Sequence, residues 1–158
     1  MIDELYSATI LRLAANMPRA GRLAAPDASA EKVARLCGSR IVVDVRMEDG
    51  RIVDFAQEVK ACALGQAAAA VLGAHVIGAT PEEIEVARDA FRVMLKAGGQ
   101  PPTGRFSDLS MLEPVKDYPQ RHASTLLAFE ATAEACRLAQ AARAEAPAPA
   151  RTSRAGAA

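Results

Sequence analysis

The chain has 158 residues, and 51% of them are hydrophobic, which is enough for one globular domain with a core of its own. Its 19 basic and 19 acidic residues cancel, and no basic stripe marks a phosphate-binding surface, so we expect no nucleic-acid partner. Three cysteines, an odd number, argue against a disulfide framework. The first residues do not resemble a secretory leader, and no apolar run is long enough to span a membrane, which argues against a membrane protein. We therefore expect a cytoplasmic protein with reduced thiols.

An amphipathic helix is the first predicted element. Apolar residues recur at helical spacing over residues 3–16, and Asp3 is a suitable N-cap. The next stretch, residues 18–31, is rich in Gly, Pro and small side chains and predicts an irregular connection. A short strand over residues 32–36 is predicted to lead into Cys37.

The strongest local signal is a β-hairpin. Residues 40–47 and 51–59 have the alternation and the branched side chains of strands, and the sequence Glu-Asp-Gly at 48–50 predicts a tight turn between them. A hairpin folds its two ends back on each other, so Cys37 and Cys62 are expected to be neighbours at one end of a small sheet. Two thiols in that arrangement indicate a site for a soft metal or for sulfur chemistry.

Helices are predicted for most of the second half of the chain. Small side chains at Gly65, Ala69 and Gly73 favour a helix that lies close to the sheet. The later helices are predicted over residues 81–97, which begin with a capping box, over 109–115 and over 120–142.

The order of elements predicts an α+β fold. It has a helix first, then a three-stranded antiparallel sheet, and the helices of the C-terminal half cover that sheet. Residues 1–142 are predicted to form a single domain. The Ala/Pro-rich segment 143–158 has almost nothing to bury and is expected to be disordered.

Cys37, Cys62 and His122 are the candidate site residues. Gly38 lets the chain bend directly after Cys37, so this thiol is expected on a loop. Cys62 lies at the start of the small-residue helix, where the partial positive charge of a helix N-terminus lowers the pKa of a thiol. Packing in the core is the alternative explanation for either cysteine. His122, near the start of the last helix, is weak evidence when taken alone.

Two other residues with metal-binding side chains are assigned structural roles. His75 lies at the end of a different helix. Cys136 follows His122 on the same predicted helix at a separation of about 21 Å along the axis, so the two cannot bind one ion within a chain. We expect Cys136 to pack on the inner face of that helix.

Taken together, these motifs resemble one family of proteins. The first helix with Tyr6, the hairpin and several short motifs occur in an order and spacing similar to those of the NifU/IscU-type iron–sulfur cluster assembly scaffolds. The short motifs are Leu-Cys-Gly at 36–38, the turn at Cys62, Thr-Pro-Glu-Glu at 80–83 and Arg-His at 121–122. The likeness covers about residues 3–140. The long stretch that follows Cys62 resembles the branch to which the zinc-binding SufU-type sulfur acceptors belong.

In that family, three cysteines, an acidic residue two positions after the first Cys and a His just before the third Cys surround the cluster or zinc. The resemblance places these ligands on Cys37, Cys62 and His122. Two positions depart from the pattern, because the acidic residue is Ser39 and the third Cys is Ala123. One chain then offers two thiolates and one imidazole, where a closed site normally has four ligands.

Three outcomes follow from this donor set. The first is a site that holds an iron–sulfur cluster transiently, or zinc, with an open position filled by water, a small thiol or a partner's cysteine. The second is a cluster held between the two chains of a homodimer, each of which supplies its cysteine pair. The third is a module that keeps the fold for interaction alone. The hydroxyls of Ser39 and Ser124 are poor fourth ligands, because a neutral oxygen binds soft metals weakly.

The resemblance implies a scaffold or carrier for iron–sulfur cluster assembly rather than an enzyme. Its implied partners are a cysteine desulfurase and recipient apoproteins. A zinc-site sulfur acceptor for a cysteine desulfurase is the alternative, and the absent third Cys at Ala123 counts against it. The non-catalytic interaction module is the third hypothesis.

Overall fold

A three-stranded antiparallel sheet forms the centre of the computed structural model, which describes residues 7–145. Strand β2 (Ser39–Glu48) lies in the middle, with β1 (Ala28–Ala34) on one side and β3 (Arg51–Lys60) on the other. Arg40 and Lys60 pair at the open end of the β2–β3 hairpin. The predicted α+β fold with a three-stranded antiparallel sheet is confirmed.

The hairpin turn has the backbone that its sequence predicts. Asp49 and Gly50 have φ angles of 53° and 76°, so both lie in the left-handed region. A two-residue turn of this kind follows the natural twist of the strands, and Asp-Gly is well suited to it. The turn closes one end of the hairpin, and Cys37 and Cys62 flank its other, open end.

The first strand begins earlier than the sequence predicts. The predicted bounds, residues 32–36, are wrong, because β1 begins at Ala28 and ends at Ala34, although residues 32–34 are in the strand as predicted. Residues 28–31 have little intrinsic preference for a strand, and pairing with the central strand overrides that preference. Residues 35–38 form a turn, which places Cys37 on a loop as expected.

Four α-helices and two 3₁₀ segments complete the described chain. The helices are α1 (Ala8–Ala15), α2 (Ala63–His75), α3 (Pro81–Ala97) and α4 (His122–Glu145), and the 3₁₀ segments Gly104–Asp117 and Pro119–Arg121 join α3 to α4. The side chain of Ser7 caps α1 by accepting the N–H of Ile10. Asp3, the predicted N-cap, lies outside the described residues. Helix α3 starts with the predicted capping box, in which Thr80 and Glu83 bond each other's backbone N–H groups.

Helix α2 is a central element of the core, in contact with α1, with β3 and with α4. Its residues 64–73 are almost all buried. The predicted row of small side chains contacts the sheet only in part. Gly73 faces the amide of Gln57 on β3, which also donates to the carbonyl of Ala69 at 3.0 Å. Gly65 instead lies against the first turn of α4, so the small residues bring two helices together at this end.

A buried carboxylate fastens the segment before β1 to the sheet. Asp44 on β2 has no exposed surface. Its oxygens accept two bonds from the guanidinium of Arg22, at 2.8 and 3.0 Å, and one from the N–H of Leu23 at 2.9 Å. The hydroxyl of Ser29 donates to the same carboxylate. These bonds fix the irregular connection across one face of the sheet.

The last helix runs past its predicted end at residue 142 and continues through Glu145. The guanidinium of Arg143 donates to the carbonyl of Met47 and lies 3.3 Å from the carboxylate of Asp27. The remainder of the predicted disordered tail, residues 146–158, lies outside the described residues. Within residues 7–145, no helix is both long and apolar enough to cross a membrane.

Candidate functional site

Cys37 is an exposed thiol at the turn that joins β1 to β2. Its Sγ atom lies 3.0 Å from the hydroxyl oxygen of Ser39, which is the first residue of β2 and is buried. The hydroxyl of Ser39 and then its backbone N–H lower the pKa of Cys37, because both stabilise the thiolate. Ser124 makes a smaller contribution in the same direction.

Cys62 is the N-cap residue of α2 and directly follows β3. Its side chain makes no capping hydrogen bond. Its Sγ atom lies 3.5 Å from the hydroxyl oxygen of Ser124, on the first turn of α4. The thiol is half-buried and contacts the edge of the hydrophobic core.

Ser124 lies next to the open end of the hairpin. Its hydroxyl oxygen is 3.5 Å from Cys62 Sγ, and it is also one of the groups that lower the pKa of Cys37. The hydroxyl donates to the carbonyl of Arg121 at 3.2 Å, which fixes its position on the helix start. The pairing of Arg40 with Lys60 places Cys37 and Cys62 on either side of this end of the hairpin.

His122 is the first residue of α4, and its ring is buried. Its Nε2 atom lies 3.0 Å from the carbonyl oxygen of Val115 and 3.2 Å from that of Lys116. Carbonyl oxygens only accept, so Nε2 carries the proton, and in the neutral ring the lone pair is on Nδ1. Metal-binding histidines commonly have such a bond from the other ring nitrogen to a carbonyl.

The structure does not gather all three predicted ligands into one preformed group. Among the side chains that it describes, no three His, Cys, Asp or Glu residues are arranged to hold a metal ion. It places Cys62 beside the hydroxyl of Ser124 and Cys37 beside that of Ser39, and it places His122 two residues before Ser124, with Nε2 bonded to the 3₁₀ segment. Ala123, the position of the third family cysteine, is exposed between them.

The two residues assigned to structural roles are away from these thiols. His75 ends α2, where its ring lies 3.3 Å from the carboxylate of Asp108 and its carbonyl accepts a bond from Arg105. Cys136 is fully buried in α4, and burial raises its pKa to about 12. The prediction that Cys136 is a packed residue is confirmed.

The contact of Ser124 with Cys62 is not predicted by the sequence, in which this hydroxyl is only a poor candidate metal ligand. A serine on the first turn of a helix usually bonds a nearby backbone group, and this one does so. Its contact with the distant thiol of Cys62 depends on how α4 packs against α2, which no local pattern reveals. The neighbouring Cys-Gly-Ser motif at 37–39 did contain a signal, since a hydroxyl two residues after a thiol can stabilise the thiolate.

Replacing Ser39 with alanine is expected to raise the pKa of Cys37. The change removes the hydroxyl that contributes most to the low pKa and keeps the backbone N–H that contributes next. The measurement is the rate of alkylation of Cys37 against pH in a Cys62→Ser, Cys136→Ser background, with and without Ser39→Ala. The pH at half-maximal rate moves upward if the hydroxyl acts as stated, and an unchanged profile contradicts it.

Replacing Gly65 with alanine is expected to push α2 away from α4. A Cβ atom at this position would lie 2.9 Å from the carbonyl oxygen of Ser124 and 2.9 Å from the Cβ of Ala61. Overpacking of this kind costs about 1–3 kcal/mol, which opposes the gain of up to about 1 kcal/mol from placing alanine in a helix. Denaturant unfolding and the rate of Cys37–Cys62 cross-linking by a short bis-maleimide measure the two effects.

A partly buried helix position is the control for that variant. Ala90 on α3 is only partly buried, so Ala90→Gly chiefly tests helix propensity. Unchanged cross-linking in Gly65→Ala would show that the added methyl group is accommodated without separating the two helices, and would contradict the prediction.

With the site described, the chain can be compared with known proteins. The family model described as the NifU-like N terminal domain matches residues 5–125. The chain belongs to this family. The scaffold resemblance seen in the sequence is thereby confirmed, and the helix-first order, the hairpin and the Cys62 turn of this NifU-like chain all lie within the matched region.

Two relatives support the assignment. The iron-sulfur cluster assembly scaffold protein IscU of Thermotoga maritima is 28% identical over 131 residues, which cover 83% of this NifU-like chain and 92% of that protein. The crystal structure of a nitrogen-fixing NifU-like protein (N-terminal) from Brucella abortus has a TM-score of 0.86 and 52% identity, and the match covers 88% of this chain and 96% of that one.

A more distant structure shows the fold alone. FiSufU, a SUF-system protein of Fervidobacterium islandicum AW-1, has a TM-score of 0.77 at 22% identity, with 85% of this NifU-like chain and 98% of that chain covered. The NifU-like sheet and helix arrangement is therefore retained where little of the sequence is.

Proposed function

We propose that this NifU-like chain is a scaffold for iron–sulfur cluster assembly. Iron and sulfur are its cargo, held by Cys37 and Cys62 as thiolate ligands and by His122 as the third ligand. The observation that supports the proposal is that Cys37 and Cys62 flank the open end of the β2–β3 hairpin, with Cys62 beside Ser124, in a fold shared with relatives named as cluster assembly scaffolds. Those relatives are described as scaffold proteins, and we propose no enzyme activity for this chain.

The chemistry of the donor set fits this cargo. Thiolates are the usual ligands of iron–sulfur clusters, and an imidazole replaces a thiolate in some of them. The bond from Nε2 of His122 to a backbone carbonyl leaves Nδ1 as the nitrogen with a free lone pair. Cys37 has a lowered pKa, so its thiolate is available near neutral pH at a smaller cost than that of an ordinary cysteine.

The missing thiol gives the site an open coordination position. Alanine at position 123 supplies no donor atom, and the hydroxyl of Ser124 is a weak ligand for a soft metal. The fourth ligand comes from a small thiol, from a partner's cysteine or from a second copy of this chain in a homodimer. A cluster held by fewer protein thiolates is released more readily, which suits a scaffold that passes its cargo on.

The proposed function implies two kinds of partner. A cysteine desulfurase supplies the sulfur, and apoproteins receive the finished cluster. Thiols that must stay reduced are best maintained in the cytoplasm, which is the location that we propose.

Anaerobic reconstitution with ferrous iron and sulfide tests the function. We expect visible absorption from sulfide-to-iron charge transfer, with iron and acid-labile sulfide bound in nearly equal amounts. Elemental analysis of the protein purified without oxygen is the companion measurement, since one zinc per chain without cluster formation would favour a zinc-site sulfur acceptor. Protein that binds neither zinc nor a cluster would favour an interaction module.

A further inference from the structure

We propose that Cys62 is the resolving thiol for a persulfide on Cys37, so that the site itself releases inorganic sulfide and closes into a Cys37–Cys62 disulfide. The inference rests on the proposed function, because it requires that a sulfur donor reaches this site. It assigns different roles to the two thiols, one as the acceptor of sulfur and the other as the group that discharges it.

The two cysteines differ in access. Cys37 is exposed on the turn between β1 and β2, where a donor's persulfide can reach it. Cys62 is half-buried at the junction of β3 and α2, packed against the core. An incoming donor therefore meets Cys37 first, and Cys62 is shielded from direct attack.

The hairpin brings the two thiols to the same end of the sheet. Arg40 and Lys60 pair at the open end of the β2–β3 hairpin, three residues after Cys37 and two residues before Cys62. Cys62 Sγ lies 3.5 Å from the hydroxyl oxygen of Ser124, and Ser124 also contributes to the lowered pKa of Cys37. Cys37 is on a turn and Cys62 precedes α2, so a bond between them need not break any strand pairing.

The step that releases sulfide balances within the cysteine pair, and a low-molecular-weight thiol must then reduce the disulfide before the two thiolates can bind iron. The donor's persulfide transfers its outer sulfur to Cys37, which gives Cys37–S–SH and the donor's thiol. The Cys62 thiolate then attacks the inner sulfur, which is the Sγ atom of Cys37. The Cys37 Sγ–sulfane bond breaks, the Cys62–Cys37 bond forms, and the outer sulfur leaves as HS⁻ with both electrons of the broken bond. The two cysteine sulfurs together supply the two electrons that reduce it.

No other thiol of the chain can perform this step. Cys136 is fully buried in α4, at about 18 Å from Ser124 along the helix axis. Ala123 provides no thiol where the family has one. The persulfide on Cys37 thus has a single intramolecular partner.

The test uses the full-length, fully reduced protein under anaerobic conditions, with inorganic polysulfide as the sulfur donor. After rapid desalting, the sulfide released and the state of each cysteine are followed by mass spectrometry of the alkylated protein. The wild type is expected to release one sulfide for each Cys37–Cys62 disulfide formed. In Cys62→Ser, the persulfide on Cys37 should persist at least about tenfold longer, because an intramolecular thiol acts at an effective concentration on the order of millimolar or above.

Three variants complete the design. Cys136→Ser is the matched control and should behave as the wild type does. Cys37→Ser should form neither a lasting persulfide at this site nor the disulfide. Ser124→Ala should slow disulfide closure without abolishing it, since the hydroxyl brings the sulfurs together but takes no part in the bond changes. Circular dichroism establishes that each variant is folded.

A wild-type persulfide that lasts as long as that of Cys62→Ser, with no cross-linked peptide, would overturn the assignment. Reconstitution with iron and free sulfide bypasses the sulfur donor, so cluster assembly succeeds or fails independently of this result. A protein that builds a cluster but keeps its persulfide would retain the scaffold function and lose the resolving role of Cys62.

Discussion

Cys37→Ser and Cys62→Ser should each lose most of the visible absorption and bound iron after anaerobic reconstitution. Each change removes one of the two thiolates at the open end of the hairpin, in a site that already lacks a third. Loss of a group that merely supports a ligand costs about 10–100-fold in metal affinity, and loss of a ligand itself should cost at least as much. Iron analysis and absorption spectra of the two variants, measured beside the wild type, check the prediction.

Cys136→Ser is the internal standard for these measurements. It removes a thiol of the same chain that lies in the core, where burial holds its pKa at about 12. Bound iron per folded chain should match that of the wild type, even if stability falls. Equal loss of iron in Cys37→Ser, Cys62→Ser and Cys136→Ser would indicate unspecific binding to thiols and would remove the basis of the scaffold proposal.

Asp44→Asn should lower the free energy of unfolding by about 2–4 kcal/mol, because a buried hydrogen-bonded carboxylate loses its charge and part of its acceptor capacity. The side chain of Asp44 is fully buried. It accepts bonds from the guanidinium of Arg22, the N–H of Leu23 and the hydroxyl of Ser29, and the amide cannot satisfy all of these donors. Urea unfolding monitored by circular dichroism measures the loss.

The same residue makes stability depend on pH. Burial alone raises the pKa of Asp44, but the bonds from Arg22, Ser29 and Leu23, together with the charge of Arg22, outweigh burial and hold the pKa below its ordinary value. Because the pKa in the folded state is below that of the unfolded state, this stabilisation is complete above the unfolded pKa, at about 4, and is lost as the pH falls through the folded pKa. Asp44→Asn should therefore show a smaller loss of stability on acidification than the wild type.

Glu48→Gln is the surface control for that prediction. Glu48 pairs with Arg46 at 3.1 Å, and both side chains are exposed. Such a pair contributes less than about 1 kcal/mol. If Asp44→Asn were no more destabilising than Glu48→Gln, the buried carboxylate would not be what fastens the segment before β1.

The parts of the fold that the sequence predicted well are those determined by local chemistry. The Asp49–Gly50 turn and the alternation on either side of it define the hairpin, and Thr80 with Glu83 defines the start of α3. The first strand was misplaced because residues 28–31 become a strand only through pairing with β2. Its position is a property of the folded sheet rather than of its own residues.

The features of the candidate site also fall into those that local sequence predicts and those that depend on packing. Cys37 and Cys62 flank the open end of the hairpin, and the strand alternation around its turn was sufficient to predict that placement. The contact of Cys62 with Ser124 depends on the packing of α4 against α2, which Gly65 allows by its lack of a side chain. The orientation of the His122 ring is set by its bonds to carbonyls of the 3₁₀ segment, and the hydrophobic periodicity of the sequence does not predict those bonds.

The close approach of α2 and α4 also has an electrostatic consequence. Both helices begin at this corner of the molecule, one just after Cys62 and the other at His122, so two macrodipoles direct their positive ends to the same place. That field lowers the free energy of bound anionic sulfur species. It repels a bare cation, and the repulsion is removed only when thiolates neutralise the charge of the cation. Added salt screens this field. It should therefore weaken the binding of an anionic persulfide more than the binding of a cluster whose charge is balanced by its ligands.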